Sequence, residues 1–284
     1  MLYLLLKTNI NFKKYKTILP AMKSTLNQIE DIKKNGYSLD FSDVFNHAFE
    51  NYKKIALYAG LILLVISILS FFLGGGILVS LYGIEHFNKQ FFENLQNTQP
   101  EGITLLIYTL SVTLVTAIMT PFAAGFLKMA DSADKDETFN FSTVFTYYRT
   151  PYFSPLFTSA LLIGLISGLI SVAFNFIGIT VIDSVFAIII SLFTSLTVPL
   201  IVFGNLNMMD AIKSSILVVS KQPLVIALLF LVAGIGSLIG FIGCCIGVVF
   251  TIPITYSVKY AIYSAIFEIE NPDSIDSIGQ SYQE

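Results

Sequence analysis

The sequence predicts an all-α protein, a polytopic membrane bundle of six transmembrane helices. It further predicts that these helices form three repeats, each an amphipathic interfacial helix followed by a helical hairpin. Three observations lead to this architecture. They are long apolar runs without charge, lysines confined to one side of the predicted membrane, and a local pattern that occurs three times along the chain.

Charged residues are scarce and unevenly spread. Of 284 residues, 55% are hydrophobic and 12% are charged, about half of the roughly 25% that soluble domains carry. Uncharged runs of 26 to 37 residues exceed the about 20 residues that a helix needs to cross a bilayer. A soluble domain, a disordered chain and a disulfide scaffold are therefore excluded. The five runs are 55–84, 102–127, 150–182, 184–209 and 222–258.

Two of these runs are divided by turns. As single helices, 150–182 and 222–258 would measure about 50 and 56 Å, more than the about 30 Å of a hydrocarbon core. Turn residues between Asn175 and Asp183 separate one helix from the next, and Gly240-Phe-Ile-Gly243 divides the last run. Six spans follow, at about 55–80, 103–127, 154–174, 184–204, 222–240 and 244–267.

The distribution of basic residues tests the division into six spans. Six spans place 15 of the 16 Lys and Arg residues on one side and only Lys89 on the other. Cytoplasmic loops of membrane proteins are enriched in Lys and Arg, so we expect both termini in the cytoplasm. No predicted span has an ionisable residue at its centre. Lys259 lies toward the cytoplasmic end of the last helix, where its ammonium can reach the interface.

Three domain segments follow from the spans. Residues 1–39 are predicted to be a cytoplasmic N-terminal tail, 40–268 the membrane domain and 269–284 a cytoplasmic C-terminal tail. We interpret residues 1–21 as a misassigned start, with Met22 as the true initiator, because the run Leu2–Leu6 is too short for a signal peptide.

A helix start is repeated at Asp40, Asn140 and Asn207. Each side chain suits an N-cap, since its oxygen can accept a backbone N–H bond. Apolar or small residues follow each cap at helical spacing and predict a one-sided stripe. The stripes are Phe41, Val44, Phe45, Ala48, Tyr52; Phe141, Val144, Phe145, Tyr148, Tyr152; and Met208, Ala211, Ile212, Ser215, Val219.

Each stripe precedes two spans, and the second span of each pair carries one proline close after a threonine. The pairs are Thr120 and Pro121, Thr197 and Pro199, and Thr251 and Pro253. Proline opens a helix by removing one backbone donor, and hydroxyls can satisfy the freed groups inside a bilayer. We expect the amphipathic helices to lie in the headgroup plane on the cytoplasmic side, with Lys53 and Lys54 toward anionic lipids.

The run Phe-Ser-Asp-Val-Phe-Asn-His-Ala-Phe-Glu-Asn-Tyr-Lys-Lys at 41–54 resembles a broad group of uncharacterised bacterial integral membrane proteins. This group includes the membrane domain fused to some glycerophosphodiester phosphodiesterases. Asp210-Ala-Ile-Lys-Ser-Ser, followed by Ser220-Lys-Gln-Pro, looks like a later repeat of the same group. The resemblance covers about residues 40–268. It implies six spans in a bacterial inner membrane and brings no catalytic residues to this chain.

The sequence contains few candidate catalytic or metal-binding residues. Asp43, His47 and Glu50 share a helix face that could form a weak metal site, but a solvated polar face is the more ordinary interpretation. His86 is interpreted in the same way, and the adjacent Cys244 and Cys245 are read as small apolar residues. The sequence contains no recognised nucleophile, phosphate-loop or zinc-protease motif. We therefore predict no catalytic, cofactor-binding or metal-ligating residue.

Glycines are the remaining feature of the spans. Gly164/Gly168, Gly236/Gly240 and Gly243/Gly247 are small-residue pairs that predict close helix packing. A flexible gate or a cavity lining is the alternative for them. Gly74-Gly75-Gly76 is expected to bend or end the first span.

These observations predict a non-enzymatic integral membrane protein of the bacterial inner membrane, active in envelope organisation or lipid interaction. Its expected partners are membrane lipids and, as a further option, a second copy or another membrane protein. Nucleic acid is not expected, because the net charge is −3. The alternative is a transporter, flippase or channel for a neutral or lipid-like solute that passes along the Pro- and Thr-bearing helices. An intramembrane enzyme ranks third.

Overall fold

The computed structural model describes residues 25–84, 102–149, 151–243 and 246–267. Ten α helices lie in these ranges, numbered here in chain order, and two 3₁₀ helices cover Phe141–Tyr148 and Gly240–Gly243. The α helices are α1 (Thr25–Asn35), α2 (Phe41–Tyr82), α3 (Gly102–Asp134), α4 (Phe153–Ile177), α5 (Thr180–Phe193), α6 (Thr197–Val202), α7 (Met208–Lys221), α8 (Pro223–Ile239), α9 (Ile246–Thr251) and α10 (Pro253–Ile266).

Part of the predicted N-terminal tail is a packed helix. Ile29 and Ile32 of α1 are buried in the core. The Tyr37 hydroxyl donates to the Val218 carbonyl at 3.0 Å, and Lys221 Nζ donates to the Lys33 carbonyl at 3.0 Å. Helix α1 and the residues after it are thereby held against α7. Residues 1–24, which include Met22, and the C-terminal tail lie outside the described residues.

Within the described ranges, four helices are long and apolar enough to cross a membrane. A fifth is added if α7 and α8, which meet at an angle of 99°, form one broken span. Helices α8, α9 and α10 have 17, 6 and 14 residues, each shorter than the about 20 residues that a straight span needs. The four are Phe41–Ser80, Gly102–Asp134, Phe153–Ile177 and Val181–Val202.

The surfaces of these helices are apolar. Large side chains such as Phe71, Leu73 and Phe176 are more than two-thirds exposed, and similar residues cover the outer halves of α2, α3 and α4. Soluble proteins rarely expose contiguous apolar surface of this extent. Since burying apolar surface is favourable by about 25 cal/mol per Å², these faces are suited to lipid. The fold is that of a membrane protein.

The predicted N-caps are confirmed at all three positions. A side-chain oxygen accepts a backbone N–H bond in each case, at 2.9 to 3.0 Å. At Asn140 the cap is reciprocal, because the Thr143 hydroxyl accepts from the Asn140 backbone N–H at 3.1 Å. The cap pairs are Asp40 with Asp43, Asn140 with Ser142, and Asn207 with Asp210.

After the caps the three segments differ. The first continues without a break into α2, a helix of 42 residues, so the expectation of a separate in-plane helix is wrong there. The second is the 3₁₀ helix Phe141–Tyr148, and the third is α7, which turns by 99° into α8. Proline accounts for the difference, because Pro151 and Pro223 follow the second and third segments and disfavour a helical residue before them. The first segment has no proline after it within α2.

Part of each stripe packs into the protein core. Val44 is 4% exposed, and Ala48, Val144, Ala211 and Val219 are fully buried. The stripes were expected to face lipid, and this expectation is wrong for these residues. Helical spacing shows that one face of a segment is buried, but it does not distinguish burial in lipid from burial against other helices.

The predicted turns lie where they were expected. Helix α4 ends at Ile177, and Gly178 follows with φ of +77°, a left-handed conformation that glycine adopts easily. Asp183, expected in this turn, lies in the first turn of α5 and accepts a hydrogen bond from the Ser171 hydroxyl at 2.8 Å. The predicted turn Gly240–Gly243 is a 3₁₀ helix.

Candidate functional site

The strongest polar cluster lies where the start of α2 meets the ends of α3 and α10. We call it the α2–α3–α10 cluster, and it comprises His47, Asn51, Asp131, Asp134 and Tyr260. Asp131 and Tyr260 are buried, while His47 and Asp134 are about one-third exposed. At about 1.5 Å per residue, α2 would measure about 63 Å. Its polar first turns therefore extend beyond the hydrocarbon core, and His47, Asn51, Asp131 and Asp134 lie outside the predicted spans 55–80 and 103–127.

Asp131 is a buried carboxylate with two cationic partners. Its side chain is 3% exposed and receives hydrogen bonds from Lys128 Nζ at 2.7 Å and Lys135 Nζ at 2.8 Å. A buried carboxylate is costly unless it is paired in this way. Lys128 lies about one turn before Asp131 on α3, and Lys135 lies about one turn after it, directly beyond the end of α3, so the same stretch of chain supplies both cations.

Asp134 joins α3 to the other two helices. Its Oδ1 lies 2.7 Å from His47 Nε2, and its Oδ2 accepts from the Tyr260 hydroxyl at 3.0 Å. The hydrogen bond to Asp134 raises the pKa of His47 above its usual value, against the opposing effect of burial. Burial is the largest single effect on Asp134 and acts to raise its pKa, but the hydrogen bond and charge of His47, the Tyr260 hydroxyl and the charge of Lys54 together lower the pKa below its usual value. The pair thus favours a charged imidazolium and a charged carboxylate.

Two hydrogen bonds of the uncharged Asn51 side chain complete the α2–α3–α10 cluster. Asn51 Nδ2 donates to the Ala130 carbonyl at 2.7 Å, and its Oδ1 accepts from the Ser257 hydroxyl at 2.9 Å. One buried amide thereby connects α2, α3 and α10. Buried side-chain networks of this kind, with each member satisfied, hold packed helices in one arrangement.

The possible metal site is not assembled. His47 is directed to Asp134, and Glu50 pairs with Lys53 at 2.6 Å. Within the described ranges, no group of three or more His, Cys, Asp or Glu residues could hold a metal ion. The other candidates, His86, Cys244 and Cys245, lie outside those ranges.

Lys54 was expected to face lipid headgroups, but its ammonium contacts the protein instead. Its Nζ donates to Asp136 Oδ1 at 2.7 Å and to the Ala133 carbonyl at 3.0 Å. The ammonium thus interacts with the last turn of α3 and the residues that follow it. The other lysine expected to face lipid headgroups, Lys53, is exposed and pairs with Glu50 of its own helix.

The three prolines are buried but occupy different places. Pro121 lies inside the unbroken helix α3. Pro199 is the third residue of α6, and Pro253 is the first of α10. The expected kink within one helix is therefore wrong for these two, because the helix stops and restarts. Proline is well tolerated in a first turn, where its missing N–H would have no helical partner.

The associated threonines have three different environments. Thr120 donates to the Thr116 carbonyl of its own helix at 2.8 Å, whereas Thr251 donates across to the Ser237 carbonyl of α8 at 2.7 Å. The Thr197 hydroxyl is buried and has no hydrogen-bond partner among the described residues, and the same holds for Ser195 in the break between α5 and α6.

The glycine pairs act mainly in packing. A Cβ at Gly164 would lie 2.7 Å from Thr113 Cγ2, and one at Gly168 would clash with Thr109, so α4 approaches α3 closely. Gly240 and Gly247 are in similar backbone contact. No atom lies within 4 Å of a Cβ built at any glycine of the 74–76 run, which lies within α2 and does not end it.

Sequence reasoning missed Asp131, Asp134 and Tyr260. The signal that could have found them is the run Lys128-Met-Ala-Asp131-Ser-Ala-Asp134-Lys135, in which acidic and basic residues alternate at one-turn spacing. The partners across helices are 87 and 126 residues away along the chain, and no local pattern indicates them.

Comparisons with protein families, with curated proteins and with solved structures found no match to this chain.

Proposed function

We propose that the protein is a non-enzymatic integral membrane protein of a bacterial inner membrane, with six spans and both termini in the cytoplasm, that acts in envelope organisation or lipid interaction. The observation that carries the proposal is the broad exposed apolar surface of α2, α3, α4 and α5. In an aqueous setting this surface would be strongly unfavourable, whereas acyl chains cover it.

The α2–α3–α10 cluster supports a structural role. Its ionisable groups are paired with one another across helices, and its amide is bonded on both sides. Groups that form hydrogen bonds and ion pairs with one another stabilise the packing of helices. A general acid or base, in contrast, needs access to a substrate proton.

We further propose that the three capped segments begin three repeats. The support is local: each begins with an Asx cap, each buries part of its stripe in the core, and each is followed by a span and then a proline-bearing segment. The sixth span of this proposal consists of α9 and α10 together, divided at Pro253.

Lipid interaction is testable with the purified full-length protein. In nanodiscs or detergent, we expect native mass spectrometry to show phospholipids that stay bound after delipidation. A wild-type protein that keeps no lipid contradicts the proposal. Steady turnover of a lipid substrate, abolished by one substitution that leaves the protein folded, would equally contradict a non-enzymatic role.

A second candidate function is a transporter, flippase or channel for a neutral or lipid-like solute. The break between α5 and α6 favours it, because the buried hydroxyls of Ser195 and Thr197 have no partner in the part of the chain that the structure describes. Pro199 adds to this polarity, since it has no N–H to pair with the Ser195 carbonyl. Discontinuous helices line substrate sites in many transporters. Solute flux into liposomes above that of empty liposomes, lowered by Thr197→Val, would support it.

A further inference from the structure

Lys259 lies on the face of α10 that packs against α3 and α6. Tyr256, one turn before it, stacks on Phe126 of α3 with ring centroids 5.0 Å apart. Tyr263, one turn after it, packs on Phe203 at the end of α6 at 5.4 Å. Residues three and four apart share a helix face, so the Lys259 side chain starts between two aromatic contacts with neighbouring helices.

The Lys259 ammonium has no counter-ion in the described part of the chain. It makes no hydrogen bond or ion pair there, and the same holds for the Tyr256 hydroxyl. The nearby carboxylates are already occupied, since Asp131 pairs with Lys128 and Lys135 and Asp134 pairs with His47.

Both side chains are nevertheless accessible in part. Lys259 and Tyr256 are partly exposed, and neither polar atom is among the fully enclosed atoms that lack a partner. An ammonium on an apolar helix is costly without a partner, and such residues mark binding sites in membrane proteins. The ammonium and the phenol are both donors, one turn apart, and together they suit the oxygens of one anionic group.

The depth of the site fits a phospholipid headgroup. Tyr260, the next residue, donates to Asp134 at the charged end of α3. Lys259 also lies seven residues before the end of α10, or about 10 Å along its axis. The site is therefore near the end of the bundle that carries the charged residues, where headgroup phosphates lie.

We propose that Lys259 and Tyr256 bind a phosphate group, carried by an anionic phospholipid or by a free phosphate anion. The proposal rests on the proposed role in lipid interaction and names a site for it. The phosphate oxygens accept hydrogen bonds from Lys259 Nζ and from the Tyr256 hydroxyl, while acyl chains of a lipid would extend along the apolar helices.

The test uses the full-length protein and two probes. Native mass spectrometry compares phosphatidylglycerol with phosphatidylcholine after delipidation, and thermal unfolding of the delipidated protein is followed with and without inorganic phosphate. Lys259→Met removes the charge and keeps the length, Tyr256→Phe keeps the stacked ring, and Lys213→Met is the control at an exposed lysine of α7. We expect Lys259→Met to lower the preference for phosphatidylglycerol about tenfold, Tyr256→Phe to lower it less, and Lys213→Met to leave it unchanged.

The outcomes separate the ligand sources. Loss of the phosphatidylglycerol preference in Lys259→Met identifies a lipid headgroup, whereas loss of phosphate stabilisation alone identifies a free anion. Either result supports the site. If Lys259→Met behaves as wild type with both probes, the site is wrong, although lipid interaction stands. If Lys259→Met does not fold, Tyr256→Phe decides, and an unchanged response to both probes overturns the proposal.

Discussion

The contact between His47 and Asp134 links the stability of the fold to pH. Their contact connects the polar start of α2 to the end of α3 at 2.7 Å. Neither residue is deeply buried, so the charge interaction between them is partly screened, and such pairs stabilise by roughly 0.2–1 kcal/mol.

We expect the stabilisation from His47 to disappear at alkaline pH. Because the folded protein raises the pKa of His47, the gain is complete below the unfolded pKa of about 6.5 and is lost as pH rises through the higher folded value. Asp134 has a lowered pKa, so its share is lost only in acid. Unfolding of wild type and His47→Gln should differ by about 0.5 kcal/mol at pH 6 and by less at pH 9. A difference that grows with pH would contradict this pairing.

At Gly125, close packing leaves no room for a Cβ atom. A Cβ there would clash with the Val144 backbone of the 3₁₀ helix Phe141–Tyr148. We expect Gly125→Ala to destabilise the protein by about 2 kcal/mol, because backbone must move. Gly74→Ala is the matched control, since its Cβ meets nothing within 4 Å, and it should be neutral or stabilising by up to about 1 kcal/mol. Equal effects of the two changes in thermal unfolding would refute the close contact.

Residue-scale prediction succeeded where the interaction is local. The caps at Asp40, Asn140 and Asn207 follow from one side chain and the next three residues. The bonds of Asn51 to Ala130 and Ser257 span 79 and 206 residues. They depend on which helices become neighbours, and composition and spacing carry no information about that.

At the scale of elements, proline placement decides whether a capped segment is separate from its span. Helix α2 contains no proline and runs for 42 residues, whereas Pro223 starts α8 after a 99° turn. The four long apolar helices of the described ranges and the turn at Gly178 were predictable from apolar runs and turn residues. The restarts at α6 and α10 were not, because a proline inside an apolar run is compatible with either a kink or a new helix.

The cap of α7 gives the element-scale prediction. Asn207→Ala removes the acceptor for the Asp210 N–H and should destabilise the protein by about 1 kcal/mol, whereas Asn207→Asp should retain stability because aspartate caps as well. Thermal unfolding in detergent measures both variants. If alanine were tolerated as well as aspartate, the cap would contribute nothing to the stability of α7.

At the scale of the whole molecule, the chain is a helical bundle with an apolar exterior and a polar junction at one end. Helices α2, α3 and α10 meet there through charged and amide groups, while the far halves of α2 and α3 present apolar residues outward. A membrane protein is expected to have this separation of polar and apolar ends, because charged groups are stable near the membrane surface and costly in its interior. The proposal of six spans adds that successive loops alternate between the two sides.

The most direct test of this arrangement is cysteine accessibility in spheroplasts. Single cysteines replace Gln90, Thr138, Asn175 and Met209 in a protein whose Cys244 and Cys245 are changed to serine. We expect a membrane-impermeant maleimide to label positions 90 and 175 in intact spheroplasts and positions 138 and 209 only after permeabilisation. Labelling of positions 90 and 138 from the same side of the membrane would contradict the account.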